Sequence, residues 1–299
     1  MDALITDIQR FSLNDGDGIR TTVFFKGCNM HCTWCHNPET LSAHRELMFY
    51  ETKCIGCGKC FEVCPNSAHK IENEKHIIDR SKCINCGKCA DVCYAEALTM
   101  CGKLMSVEDV MKHIRQDKEY YKTSGGGVTL SGGEVLLHKD FALELINACH
   151  KEDIKVAIES NISFPYDTIS EIFKSVDIIM CDIKIFNDEK HKKYTGVSNK
   201  EIFKNIEEID KLNIPFVVRT PLVPNVTDDL DNILSIANYI KNKKNLRRYE
   251  ILNFNPLGAQ KYKGLDKSDS FEGVKPFNAE KLDNISKELQ NIGITFKII

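Results

Sequence analysis

From Val107 onward, short apolar runs alternate with longer stretches in which apolar residues recur every three or four positions. The short runs have strand length and the longer ones read as amphipathic helices. Together with one earlier run, the pattern predicts strands at residues 21–26, 128–130, 155–159, 178–184, 216–220 and 250–254. Helices are expected between them, for instance at 140–151, 200–212 and 228–242. Strands spaced by helix-length segments pair in parallel through crossover helices, so the fold class is α/β. Residues 48–100 interrupt this alternation, and no low-complexity linker marks either join.

With 299 residues, 42% of them hydrophobic, the chain can bury a large core as one elaborated domain or two. Its 40 basic and 43 acidic residues are interspersed, giving a formal charge of -3 and no electrostatic footprint for nucleic acid. No run of about 18 apolar residues occurs. The start, MDALITDIQRF, lacks the basic-then-apolar layout of a secretory signal, so a cytoplasmic protein without membrane contact is expected. In that compartment thiols stay reduced, and the 14 cysteines read as metal ligands or catalytic groups rather than as disulfides.

Most of the cysteines fall between Cys28 and Cys93, in three groups. Cys54, Cys57, Cys60 and Cys64, followed by Pro65, reproduce the C-x2-C-x2-C-x3-C-P run of bacterial 4Fe-4S ferredoxins, and Cys83, Cys86, Cys89 and Cys93 repeat it. KCIGCGKCFEVC and KCINCGKCADVC align without a gap, Cys54 on Cys83, which marks an internal duplication. Two such loops exchange their last ligand. One cluster is therefore expected on Cys54, Cys57, Cys60 and Cys93, and the other on Cys83, Cys86, Cys89 and Cys64. Zinc also takes C-x2-C pairs, but eight cysteines in this duplicated order follow the ferredoxin pattern. The remaining group, Cys28, Cys32 and Cys35 in GCNMHCTWCHN, is C-x3-C-x2-C with no fourth cysteine. Three thiolates leave one iron of a cubane open to another ligand, by analogy with the open position of catalytic zinc sites.

This loop resembles that of the radical S-adenosylmethionine superfamily, whose members bind the cofactor's amino and carboxylate groups at the open iron. The resemblance implies a third 4Fe-4S cluster, S-adenosylmethionine as cofactor, and a 5'-deoxyadenosyl radical as the reactive species. It also implies a partial (β/α)6 barrel formed by residues 1–47 and 101–299. Its active site would lie at the strand C-termini, with residues 48–100 as an inserted ferredoxin-like α+β domain. Ser131-Gly132-Gly133-Glu134, after a predicted strand, is similar to the superfamily's glycine-rich motif at the cofactor's amino group. Glycines there let backbone approach a ligand. Trp34, within the cluster loop, is placed at the cofactor by the same resemblance.

Further motifs resemble those of the glycyl radical enzyme activating enzymes, over nearly the whole chain. Asp15, Gly16, Gly18, Ile19 and Arg20 resemble a DGPGIR stretch whose aspartate lies at the partner's glycyl loop; Asp17 replaces the proline, which implies a looser turn. The run MCDIK resembles MLDLK and puts Asp182 and Lys184 at the cofactor's carboxylate and ribose side. Glu159 and Ser160 stand where the family carries an Asp-Thr pair that, with Met180 and Asp182, binds a monovalent cation; oxygen ligands suit a hard cation. Arg219, in VVRTPLVP, resembles an arginine that meets the glycyl segment. Asn255, in ILNFNPLG, stands where close relatives have a cofactor-contacting histidine. Cys101, Cys149 and Cys181 read as buried thiols.

The implied activity is hydrogen abstraction from a backbone glycine of a separate glycyl radical enzyme, by a monomer supplied with electrons by flavodoxin or ferredoxin. Relatives with this insertion activate decarboxylases, diol and hydroxyproline dehydratases and choline lyases, and the lean is to a hydroxyproline dehydratase. Two rivals stay open. A ferredoxin-type electron carrier accounts for residues 54–93 but gives the other motifs no role. A radical enzyme acting on a small molecule or peptide usually carries auxiliary clusters after the barrel, whereas here they interrupt it.

Overall fold

The computed structural model describes all residues, Met1–Ile299. Its strands are β1 (Asp2–Ser12), β2 (Arg20–Phe25), β3 (Glu46–Phe49), β4 (His69–Glu72), β5 (Lys75–Ile78), β6 (Leu98–Cys101), β7 (Lys103–Ser106), β8 (Gly127–Gly132), β9 (Val156–Ser160), β10 (Ile178–Asp182), β11 (Phe216–Leu222), β12 (Leu246–Asn253) and β13 (Phe296–Ile298). Nine of them form one open sheet in the order β13-β12-β11-β10-β9-β8-β2-β1-β7. Pairing is parallel from β2 through β13 and antiparallel at β1 and β7.

All six expected strands are present, with ends moved by a few residues. The pattern missed β1, β7 and β13. β1 carries Asp2, Asp7, Gln9 and Arg10 on its exposed positions and so has no continuous apolar run, while β7 and β13 are short edge strands.

Helices cover one face of the sheet. Helix Val107–Ile114 starts at a capping box, with Ser106 Oγ accepting from the Asp109 amide and the Asp109 carboxylate accepting from Ser106, and buries Val110, Met111 and Ile114. Helix Lys200–Lys211 buries Ile202, Ile206 and Ile209, and helix Leu230–Ile240 buries Ile233, Ile236, Ala237 and Ile240. The spacing of three and four turns one apolar stripe onto the sheet. Cys149 and Cys181 are packed in this core, and Cys101 is buried as well. No helix is long and apolar enough to cross a membrane.

On the opposite face, side chains of neighbouring parallel strands form layers. Ala157, Met180 and Val217 make a fully buried apolar layer. Two residues further along each strand, period-two alternation puts Glu159, Asp182 and Arg219 on the same face, next to the strand C-termini. The polar layer therefore rests on an apolar floor.

The cysteine-rich segment forms two small antiparallel sheets, β3 with β6 and β4 with β5, and two short helices, Lys59–Val63 and Lys88–Asp91. Each helix follows a left-handed glycine, Gly58 or Gly87, so the duplicated sequence gives duplicated geometry. Leu47, Phe49, Ile78, Cys89, Ala97 and Leu98 form its own small core. Lys26, fully buried, joins it to the sheet through a 2.8 Å ion pair with Glu46, and Arg80 donates to the Gly264 carbonyl at 3.0 Å.

Candidate active site

The C-terminal ends of the parallel strands converge on a cavity of about 310 Å³. The loop after β2 supplies Cys28, Cys32, Cys35 and Trp34 to its wall; β8 supplies Ser131, Gly132 and Gly133; β9 and β10 supply Glu159, Ser160, Asp182 and Lys184; and the loop after β1 supplies Asp15. The cluster loop is held from both sides by backbone. Cys28 N donates to Leu41 O at 3.2 Å, His31 N to Thr195 O at 2.8 Å and Thr33 N to Tyr194 O at 3.0 Å. Trp34 packs with Ile185, Val223, Val226 and Phe254, closing one side.

Burial pushes the three thiols up, Cys28 to about 12 and Cys32 and Cys35 to about 11. Burial raises the core thiols Cys101, Cys149 and Cys181 in the same direction, so it is the loop spacing and the shared cavity that set Cys28, Cys32 and Cys35 apart. Lys184 lies near them and forms a 2.6 Å ion pair with Asp182. Desolvation alone would lower the Lys184 ammonium, but Asp182 and the neighbouring Cys32 outweigh it and the ammonium is raised.

The glycine-rich motif has a structural cause that the sequence did not reveal. Gly132 has φ 106, and a Cβ there would lie 2.4 Å from Phe25 N; a Cβ on Gly133 would lie 2.1 Å from Gly27 O. Gly133 N donates to Phe25 O at 2.9 Å and Glu134 N to Gly27 O at 2.8 Å, so the motif splices the end of β8 to the start of the cluster loop. Gly133→Ala is expected to push this loop away and destabilise the fold by about 2–3 kcal/mol, the range for overpacking at a rigid site. Denaturant unfolding of the variant beside the parent checks it.

Several predicted residues sit behind the wall rather than in it. The Glu134 carboxylate is fully buried, accepting from Ser160 Oγ at 2.7 Å and Asn161 N at 2.8 Å, and burial raises it to about 7. Met180 belongs to the apolar floor. Arg219 is turned inward between two carboxylates, 2.7 Å from Glu159 and 2.7 Å from Glu250, and also donates to Asn14 O. Desolvation favours a neutral Glu159, yet Arg219 prevails and lowers it. The four residues expected around a cation thus already engage protein cations at Glu159 and Asp182. Asn255 is exposed and caps the short helix Pro256–Gly258, its Oδ1 accepting from Leu257 N at 3.0 Å. It lies outside the wall because the chain turns away after Phe254.

Asp17, in the place of the proline, is two-thirds exposed and begins a chain of charges. Its carboxylate pairs with Arg248 at 2.9 Å, Arg248 pairs with Glu250 at 2.6 Å, and Glu250 pairs with Arg219. This chain of charges ties the loop bearing Asp15 to β9, β11 and β12. Asp15 accepts from Thr22 Oγ1 at 2.7 Å, and burial with nearby Glu159 raises its carboxyl. Sequence reasoning missed Arg248 and Glu250, since strand-borne charges carry no motif.

In the cysteine-rich segment, Cys54, Cys57, Cys60 and Cys93, together with Cys89, line one cavity of about 440 Å³, while Cys64, Cys83, Cys86 and again Cys89 line a second. His69 and His76, which showed no ligand spacing in the sequence, lie between them.

An open, mostly parallel sheet with a three-cysteine loop at its C-terminal edge defines a class, and residues 22–237 match the radical SAM superfamily, to which the chain belongs. A radical SAM methyltransferase from Sphaerobacter thermophilus shares the fold at 12% identity, with a TM-score of 0.55 and coverage of 99% of this chain and 76% of that one. The (2S)-3-sulfopropanediol dehydratase activating enzyme of Klebsiella oxytoca is 40% identical over 91% of this chain and 88% of its own length. The trans-4-hydroxy-L-proline dehydratase activating enzyme of Clostridioides difficile is 38% identical over 100% and 99% respectively. Within the superfamily, the chain belongs to the glycyl radical enzyme activating enzymes.

Proposed function

We propose that this enzyme installs the radical on a backbone glycine of a trans-4-hydroxy-L-proline dehydratase, using S-adenosylmethionine and a 4Fe-4S cluster on Cys28, Cys32 and Cys35. The observation that carries the reading is three half-buried thiols, with no fourth, beside the Asp182–Lys184 pair in one cavity. The donor set fits a cubane with one open iron, and the ion pair offers both charges that an amino acid head group needs. When bound, the reduced cluster supplies one electron to the sulfonium and with it a 5'-deoxyadenosyl radical.

The chain's own residues bind, orient and exclude water. Gly132 and Gly133 line the cofactor's cavity and, packed on Phe25 and Gly27, hold the cluster loop beside it, while Trp34 covers one side and Glu134 fixes Ser160 and Asn161. Asp15, at the cavity mouth on the loop tied down through Asp17, meets the extended glycyl segment. Arg219 acts through Glu159 as a positioning residue, and Asn255 contributes from the rim. Glu159, Ser160, Met180 and Asp182 accept a monovalent cation if Arg219 and Lys184 release their carboxylates. The inserted segment, residues 48–100, carries two further 4Fe-4S clusters on the swapped cysteine sets and takes electrons from a flavodoxin or ferredoxin into a monomeric, cytoplasmic enzyme. The hydroxyproline relative aligns from end to end, as do the indoleacetate decarboxylase and choline trimethylamine-lyase activating enzymes, so the choice among these partners rests on the experiment.

Reduced enzyme, S-adenosylmethionine and the dehydratase, deuterated at glycine, are expected to give a glycyl doublet in electron paramagnetic resonance and deuterium in 5'-deoxyadenosine. Cofactor cleavage without either signal, in the presence of the dehydratase, would reject this partner.

A further inference from the structure

The duplication that builds the inserted segment is broken at two positions that face each other. The offset of 29 residues places Leu98 at the equivalent of His69, and Leu47 at the equivalent of His76, and the strand registers agree: Leu47 pairs with Met100 as His76 pairs with Ile71. Leu47 and Leu98 are ordinary core residues, 1% and 2% exposed. The histidines are not ordinary core. His76 Nδ1 lies 3.8 Å from Cys54 Sγ and its Nε2 3.9 Å from Cys60 Sγ. The same Nε2 is 2.9 Å from His69 Nδ1. Phe49 and Phe61 pack on the His76 ring at 4.6 and 5.1 Å, fixing its plane.

His76 lines the cavity of Cys54 and Cys60, and His69 lines the cavity that holds the other cysteine set. We propose that the His69–His76 pair is a hydrogen-bonded bridge between two cluster sites, in which His76 donates to the Cys54 thiolate and raises that cluster's reduction potential above that of its duplicate. The inference rests on the reading that residues 48–100 hold two 4Fe-4S clusters.

The tautomers follow from the partners. A thiolate bound to iron can only accept, and each His76 nitrogen faces one, Nδ1 Cys54 and Nε2 Cys60; since Nε2 alone also has His69 Nδ1 at 2.9 Å, the bridge puts the proton on Nδ1, toward Cys54. Its Nε2 is then the acceptor for His69 Nδ1–H. Two neutral rings thus aim one polar N–H at one cluster, while Leu47 offers none at the equivalent place in the other. A donor to sulfur favours the reduced, more negative cluster, because the added electron density rests partly on sulfur. Asymmetry of this kind orders two otherwise duplicated centres, so that an electron from an external one-electron donor settles on the Cys54 cluster first.

The test is a redox titration of the reconstituted full-length chain, followed by electron paramagnetic resonance, for the parent, His76→Leu, His76→Asn and His69→Leu. The parent should contain about twelve iron, four for each cubane, and its inserted clusters should titrate at separate potentials. His76→Leu, which copies the duplicate, should lower the reduced-to-oxidised ratio of the upper cluster about tenfold at fixed potential, or about 59 mV for one electron, with iron unchanged. His76→Asn, which keeps an N–H near the Nδ1 position, should recover most of the shift, and His69→Leu should show part of it. Unchanged potentials in His76→Leu at full iron would overturn the bridge and leave the cluster reading standing. Loss of one cluster's iron in His76→Leu would show a ligand or scaffold instead of a tuning donor. A parent near four iron would overturn the cluster reading itself and the bridge with it.

Discussion

Changing Cys28, Cys32 and Cys35 together to alanine should reduce iron from about twelve to about eight per chain and abolish 5'-deoxyadenosine formation. The three thiols contribute to one cavity wall and to no other cysteine cavity. Their loop is fixed by backbone bonds to Leu41, Thr195 and Tyr194 that alanine leaves intact. The fold should therefore survive, and the ferredoxin-type clusters should remain spectroscopically visible. Iron and sulfide analysis with chromatography of the cleavage products decides it: any cleavage persisting in this variant would move catalysis elsewhere in the chain.

Arg219→Leu should be the most damaging single substitution for stability, costing about 3–5 kcal/mol, as expected when one partner of a buried ionic network is removed. It strips Glu159 of its ion-pair partner and leaves Glu250, 1% exposed, with Arg248 alone. The pH dependence has a definite sign. In the parent, Glu159 lies below its ordinary value, so its contribution is complete above the unfolded carboxylate range and fades as pH falls through the depressed folded value. In the variant Glu159 keeps Ser131 Oγ and the nearby Lys184 but loses the guanidinium that offsets its desolvation, so its carboxyl should rise. The gap between parent and variant should be widest near neutrality and should narrow below about pH 5 as Glu159 takes up a proton. A gap that is flat from pH 7 to pH 4 would mean that packing, not charge, is what Arg219 provides. Denaturant unfolding across that range provides the measurement.

The parallel strands were legible because each is a buried apolar run, and the cysteine groups because metal ligands obey fixed local spacing. Edge strands such as β1 were not, since half of its side chains face water and the run is broken by charge. Within the site, residues that meet a ligand through a motif could be found in sequence, whereas those that organise it could not. Glu250 and Arg248 lie far from Asp17 along the chain and come together only through sheet order. Glu134 and Gly133 were legible as a motif, but their work in joining β8 to the cluster loop depends on the close approach of Gly27. The histidine pair was invisible for a similar reason: a hairpin and a duplicated loop had to fold before His69 and His76 could meet.

The pairing of β3 with β6 sets Glu46 directly opposite Cys101. The chain thus enters and leaves the cysteine-rich segment at nearly the same point, and the ordering of everything between is confined to the excursion itself, as in a hairpin with a long loop. Such a join makes the segment a cassette. It can be lengthened, shortened or exchanged in evolution while β2, β7 and β8 keep their places, so the segment can change without redesign of the cavity at the strand ends.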